Sequence, residues 1–220
     1  MFDITKLILK IPNGLTDKEC SQLISEFEQR EKESGLEHCS HAQTGEDTFS
    51  TFKVIDLKPN TNSFNLVKNK TNKIINLYIK YLDSSNLFHT HFKHHLKYSH
   101  MYRLLKYETG AKIHPHIDYA PHIYGSISFN LNDDYEGGEF KFFNGKYSIQ
   151  LKKGDVIIWP AGHFWVHEVT PITKGVRYST NGFISQYPYE VMKLGNDHIE
   201  NMYEDYLSKY PKEELLGPYI

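Results

Sequence analysis

The run VHEVTPITKGVRYSTNGFI, residues 166–184, places a histidine and an arginine within a stretch rich in β-branched and aromatic residues. Such residues fit a pleated, half-buried surface, so HFWVHEV and VRYSTNGFI read as two strands. His167 then sits in an apolar strand, where an imidazole must be satisfied by a polar partner or by a metal ion. Arg177 is the only arginine after Arg103, and its strand also reads as buried. A buried guanidinium needs an anion, and its planar fork suits a carboxylate.

The same rhythm begins upstream at Tyr98. SHMYRLLKYE, IYGSISFNL, GEFKFF, YSIQL and DVIIWP are short apolar runs separated by Gly, Asn and Asp. Seven or eight strands in about 90 residues suggest a barrel or jelly roll. Ahead of them, Thr16 and Glu19 have the spacing of a capping box, and Cys20, Leu23, Ile24 and Phe27 recur at helical spacing, predicting a helix over 16–33. Gly35 to Ser50 reads as a loop, TFKVIDL as a strand, and SFNLVKNKTNKIINLYIKYLD as a second helix. Beyond Pro188 the chain returns to helix, with Asn196 as the cap of DHIENMYEDYLSKY and Pro211 as its stop. The expected organisation is one domain over 1–220. Residues 1–97 supply supporting helices and first strands, 98–185 the barrel, and 186–220 a helical extension.

Composition bounds the function. At 220 residues, 39% hydrophobic and 14% aromatic, the chain is globular with a β-rich core. A formal net charge of -2 and a pI of about 6.7 provide no excess of cations for a phosphate backbone, which argues against a nucleic-acid partner. No stretch approaches the roughly 20 apolar residues of a membrane span, and MFDITKLILKIPNG lacks the pattern of a secretory leader. A cytoplasmic protein without a membrane partner is expected, with Cys20 and Cys39 as reduced thiols.

The second chemical segment is KIHPHIDYAPH, residues 112–122. Alternate side chains of a strand share a face, so His116 and Asp118 point the same way. His114 has the same parity, and His122 lies beyond a turn at Ala120 and Pro121. A lone His-x-Asp is a weak signal, and from this segment alone the choice of ligands stays open. With His167 as a third ligand, two histidines and a carboxylate leave open coordination positions, the arrangement associated with non-haem Fe(II) oxygenases. The histidine-rich tract HTHFKHHLKYSH, with His89, His91, His94, His95 and His100, lacks the Glu of a zinc-protease His-Glu-x-x-His and reads as a solvated connection. His163 and Trp165 share the parity of His167; Asp155 and Glu139 read as turn residues.

The run from Tyr107 to Phe183 resembles the Fe(II)- and 2-oxoglutarate-dependent dioxygenases of the prolyl 4-hydroxylase type, which include relatives acting on lysyl residues. YETGAKIHPHID is similar to that family's Tyr, Gly and His-x-Asp segment, and LNDDYEGGEFKFF to its Leu-Asn and Gly-Gly-Glu turn. KKGDVIIWP and VHEVTPITKGVRYSTNGFI resemble its closing strands. The resemblance implies a double-stranded β-helix of jelly-roll, cupin-like form, mainly β with flanking α-helices. It implies His116, Asp118 and His167 as iron ligands and Arg177 as the anchor for the distal carboxylate of 2-oxoglutarate, with Tyr107 on the same carboxylate. Asn130 stands where many prolyl hydroxylases have a tyrosine near the cosubstrate, Phe183 where many have tryptophan, and Arg177 replaces the lysine of collagen-type enzymes. His122 and Trp165 are candidates for the substrate rim.

The activity so implied is hydroxylation with O2, yielding succinate and CO2, with Fe(II) and 2-oxoglutarate required and ascorbate as a reductant. The favoured substrate is a prolyl residue of a protein or peptide, ahead of a lysyl one; the alternative is a free amino acid or other small metabolite. Nucleic-acid demethylases of the DNA-repair type carry a second arginine where this chain has Phe183. Halogenases replace the ligand carboxylate, which Asp118 retains. A non-catalytic metal-binding barrel leaves Arg177 and Tyr107 unexplained.

Overall fold

Thr16 starts the first helix in both directions of a capping box: its hydroxyl accepts from the Glu19 amide at 3.3 Å, and its own amide donates to the Glu19 carboxylate at 2.8 Å. The resulting helix α1 (Asp17–Ser34) buries Cys20, Leu23 and Phe27. Helix α2 (Asn62–Ser85) buries Val67, Thr71, Ile74, Ile75, Tyr78 and Leu82 at the same helical period. A computed structural model describes residues 3–34, 38–39, 52–85, 92–120 and 122–209. Most of the 35–50 loop, the turn at Pro121, the stop at Pro211, His89, His91 and the side chain of Cys39 lie outside the described residues.

The strands are β1 (Leu9–Ile11), β2 (His38–Cys39), β3 (Phe52–Asp56), β4 (Tyr98–Tyr107), β5 (Ile113–His116), β6 (Ile123–Asn130) and β7 (Glu136–Gly137). They continue as β8 (Phe140–Phe142), β9 (Tyr147–Ile149), β10 (Val156–Pro160), β11 (His167–Val169), β12 (Ile172–Lys174) and β13 (Arg177–Ser185). Seven form one sheet in the order β1-β10-β6-β13-β4-β3-β2, four form a second in the order β5-β11-β8-β9, and β12 pairs with β7. All pairings are antiparallel. Two facing antiparallel sheets with neighbours distant in sequence make a double-stranded β-helix. The major sheet's outer side is braced by α1, whose Glu28 and Glu31 both bind Lys106 of β4, at 2.7 and 2.6 Å. Among the described residues no helix is long and apolar enough to cross a membrane.

Between Arg103 and His100, β4 carries a bulge opposite β13: Met101 and Tyr102 oppose the single Gly182, and Met101 takes φ 55°. A Cβ on Gly182 would lie 2.9 Å from the Tyr102 ring, so the bulge requires glycine there. The extra residue switches which side chains face the interior, from Arg103, Leu105 and Tyr107 to His100.

Several sequence expectations change. His38 and Cys39 pair with β3 inside the stretch read as a loop. The third helix, α3 (Tyr189–Lys209), starts well before Asn196 and runs through Gly195, where a Cβ would meet nothing within 4 Å. HFWVHEV is strand only from His167 onward, because residues 163–164 form a turn, so strand parity does not extend to His163 or Trp165. His100 is not solvated but 7% exposed within β4.

Candidate active site

β5 and β11 pair with His116 directly opposite His167, so the two imidazoles come from one sheet with ring centroids 4.3 Å apart. Each ring is anchored in the same way. Nδ1 of His116 bonds the carbonyl of His114 at 2.8 Å, and Nδ1 of His167 bonds that of Trp165 at 2.9 Å. A carbonyl can only accept, so both Nδ1 atoms carry the proton and both Nε2 atoms present a lone pair. The strand ends at His116, two residues before Asp118, contrary to a single extended strand. Asp118 is held instead by its carbonyl, which accepts from the Gly162 amide at 3.1 Å. Its carboxylate lies 3.6 Å from Nε2 of His116 and 3.5 Å from Nε2 of His167.

One ligand atom from each of the three residues lies within 4.8 Å of the others, a group able to hold one metal ion. The electrostatics suit a cation. Burial pushes His167 down to about 4 despite the nearby carboxylate, keeping it neutral. At His116 burial is outweighed by the Asp118 carboxylate beside the ring, which favours the protonated form, and its pKa rises. Burial alone would raise Asp118, but the two imidazoles hold its carboxyl well below the usual range.

These groups line a cavity of about 250 Å³ between the sheets, walled by Tyr107, Phe140, Trp159 and Phe183 and bordered by Met101 and Tyr119. Arg177 is 1% exposed, with its guanidinium carbon 5.0 Å from the ring centre of Tyr107 and 5.4 Å from that of Phe140, both cavity walls. Its Nε donates to Oδ1 of Asn130 at 3.1 Å, while its two terminal nitrogens, like the Ser179 hydroxyl beside it in the sheet, have no hydrogen-bond partner among the described residues. A cation buried with its fork unpaired marks the place of an absent anion.

Asn130 does not line the cavity, and its capacity is full. It accepts from Arg177 and from the Tyr135 hydroxyl at 3.1 Å, and donates to the carbonyls of Asn132 at 2.5 Å and Leu151 at 3.3 Å. One of these bonds fixes Nε of Arg177. Gly138 completes the seat: at φ 68°, a Cβ there would lie 3.0 Å from Cδ of Arg177 and 2.9 Å from the Tyr135 ring. Trp165 is buried against Phe143, 5.7 Å between ring centres, and is not a cavity wall. His122, at φ 67°, packs edge-on to Tyr187 outside the lining. Tyr135 and Ser179 had no motif to reveal them in the sequence, whereas the Gly-Gly-Glu turn was visible and its purpose was not.

The site thus joins a group able to hold a metal ion to a buried, unpaired guanidinium suited to an anion. Residues 102–185 match the family model described as the 2OG-Fe(II) oxygenase superfamily. The chain is similar to a PKHD-type hydroxylase of Cupriavidus pinatubonensis, 34% identical over 74 residues, or 32% of each chain, so it spans about a third of that relative's length. In fold it resembles a Pseudomonas putida prolyl-4-hydroxylase, with a TM-score of 0.64 and 17% identity over 81% of this chain and 92% of the other. It likewise resembles a Trichoplax adhaerens prolyl hydroxylase in complex with a hypoxia inducible factor peptide fragment, with a TM-score of 0.64 and 12% identity over 83% and 84%.

Proposed function

We propose that the protein hydroxylates a prolyl side chain, and secondarily a lysyl one, using Fe(II), 2-oxoglutarate and O2. One oxygen atom enters the substrate and the other enters succinate, with release of CO2. The observation that carries this reading is the His116, Asp118 and His167 group in a cavity on two of whose walls, Tyr107 and Phe140, the unpaired Arg177 fork packs.

In this reading Nε2 of His116, the Asp118 carboxylate and Nε2 of His167 hold the iron, which supplies the redox chemistry that couples oxidation of the cosubstrate to that of the substrate. The carbonyls of His114 and Trp165 fix both imidazoles in the ligating tautomer. The two unpaired terminal nitrogens of Arg177 would receive the distal carboxylate, with Tyr107, whose pKa burial raises, as a neutral hydroxyl donor. Phe140, Trp159 and Phe183 exclude water from the reacting groups. A free amino acid or similar metabolite is a second reading, favoured by a cavity smaller than the roughly 300–1,000 Å³ of drug-sized ligand sites.

The test supplies iron-loaded protein with 2-oxoglutarate, O2 and prolyl or lysyl compounds ranging from free amino acids to peptides. Mass spectrometry is expected to find one added oxygen atom, dependent on 2-oxoglutarate and matched by succinate. Failure with every compound at full iron occupancy contradicts the assignment.

A further inference from the structure

Arg103 lines the cavity itself, apart from the metal group and from the Arg177 seat. Directly opposed residues of neighbouring strands share a face. Arg103 opposes Asn181, which opposes Ser128, and this polar row lies next to the row Phe183, Ser126 and Trp159. Trp159 is 4.9 Å from the His167 ring, so the Arg103 row is one step from the candidate metal ligands. Nε of Arg103 donates to Oδ1 of Asn181 at 3.3 Å, and the guanidinium leans over Phe183, 5.3 Å from its ring centre, toward the metal side.

Among the described residues Arg103 forms no ion pair: Asp56 of β3 opposes it across the strands but is exposed and beyond ion-pair distance. The contrast with its strand neighbour is direct, since Lys106 on the opposite face binds two glutamates. Of the cavity-lining residues the sole carboxylate is Asp118, which the imidazoles engage. A half-buried guanidinium whose hydrogen bond goes to the neutral amide of Asn181 has donors to receive a carboxylate in a forked bond.

We propose that Arg103 selects the substrate by binding its α-carboxylate, so that the hydroxylated group is presented as a free amino acid or as the C-terminal residue of a peptide. This rests on the oxygenase reading above and narrows its substrate. A cavity of about 250 Å³ that must also seat 2-oxoglutarate favours one compact residue over a chain continuing in both directions. Arg177 serves the cosubstrate from β13, and Arg103 serves the substrate from β4.

The experiment uses iron-loaded full-length protein with L-proline, L-lysine, Gly-Gly-Pro and Gly-Gly-Lys, each as the free acid and as the C-terminal amide. Free acids are expected to exceed amides at least tenfold in kcat/KM. In Arg103→Gln the KM for the acid rises about 10- to 100-fold, the loss of a charge-assisted bond of about 1.5–3 kcal/mol. That variant loses the preference for acid over amide, Arg103→Lys recovers part of it, and the KM for 2-oxoglutarate stays within twofold. Free amino acids and tripeptides separate the two sources of the carboxylate. Amides that serve as well as acids, or no oxidation of any of these compounds, overturn the proposal. So does an equal rise in the KM for 2-oxoglutarate, which would assign Arg103 to the cosubstrate. Formation of the visible iron–2-oxoglutarate complex under the same conditions separates these outcomes from failure of the oxygenase reading, because that complex does not require the substrate.

Discussion

Removing Asn130 separates the anion seat from the metal group. Its side chain makes four buried bonds, to Arg177, Tyr135, Asn132 and Leu151. Asn130→Ala leaves four groups to find partners in a site that is 0% exposed. A buried donor or acceptor left unmade costs about 1–3 kcal/mol. The Tyr135 hydroxyl can rotate and a carbonyl can accept elsewhere, so two full losses, about 2–6 kcal/mol, are expected. Asn130→Asp keeps the acceptor for Arg177 but places a negative charge on it, in competition with the distal carboxylate. Affinity for 2-oxoglutarate is expected to fall about 10- to 100-fold, or about 1.4–2.7 kcal/mol. Urea denaturation measures the first effect, and anaerobic titration of the iron-loaded protein with 2-oxoglutarate the second. If Asn130→Ala stays within about 0.5 kcal/mol of the parent and Asn130→Asp binds 2-oxoglutarate normally, Asn130 does not hold Arg177.

Gly138→Ala drives a methyl group against Ile172, Tyr135 and the Arg177 shank and adopts an unfavourable positive φ; both stability and 2-oxoglutarate affinity are expected to fall, whereas Gly195→Ala, in open space, raises or preserves stability in the same denaturation assay. His100 has no partner for either nitrogen among the described residues, and burial pushes its pKa from 6.5 down to about 4. The unfolded chain therefore binds the proton first, and stability is lost as pH falls from 6.5 toward 4. His100→Leu removes that loss, so its advantage over the parent in urea denaturation is expected to grow by about 2 kcal/mol between pH 7 and pH 5, at 1.36 kcal/mol per pH unit below 6.5. An advantage that is flat across that range contradicts the assignment.

The extent to which the fold and site were legible depended on the range of the interaction involved. The capping box at Thr16 and Glu19, and the helical periods of α1 and α2, are local, and the structure has them within a residue or two. Strand parity paired His116 with Asp118, although the strand stops between them; the shared direction comes from a loop bond to Gly162 that no local pattern encodes. Parity failed for Trp165 because a turn precedes β11. His167 and Arg177 were legible as polar residues in apolar strands, because burying an imidazole or a guanidinium demands a partner. What partners they have was not legible. That Asn130 accepts from Arg177 has no local signal, and Arg103 reaches the cavity through a register between β4 and β13 that only the folded sheet sets.

The most direct test of the central claim is anaerobic addition of Fe(II) and 2-oxoglutarate to the purified protein, recorded by visible absorption. A charge-transfer band from the chelated iron is expected at one equivalent of metal, lost in His167→Ala and requiring much more 2-oxoglutarate in Arg177→Met. Folded protein that gives no band, or a band of full strength in His167→Ala, contradicts the assignment of His116, Asp118 and His167 as the iron site.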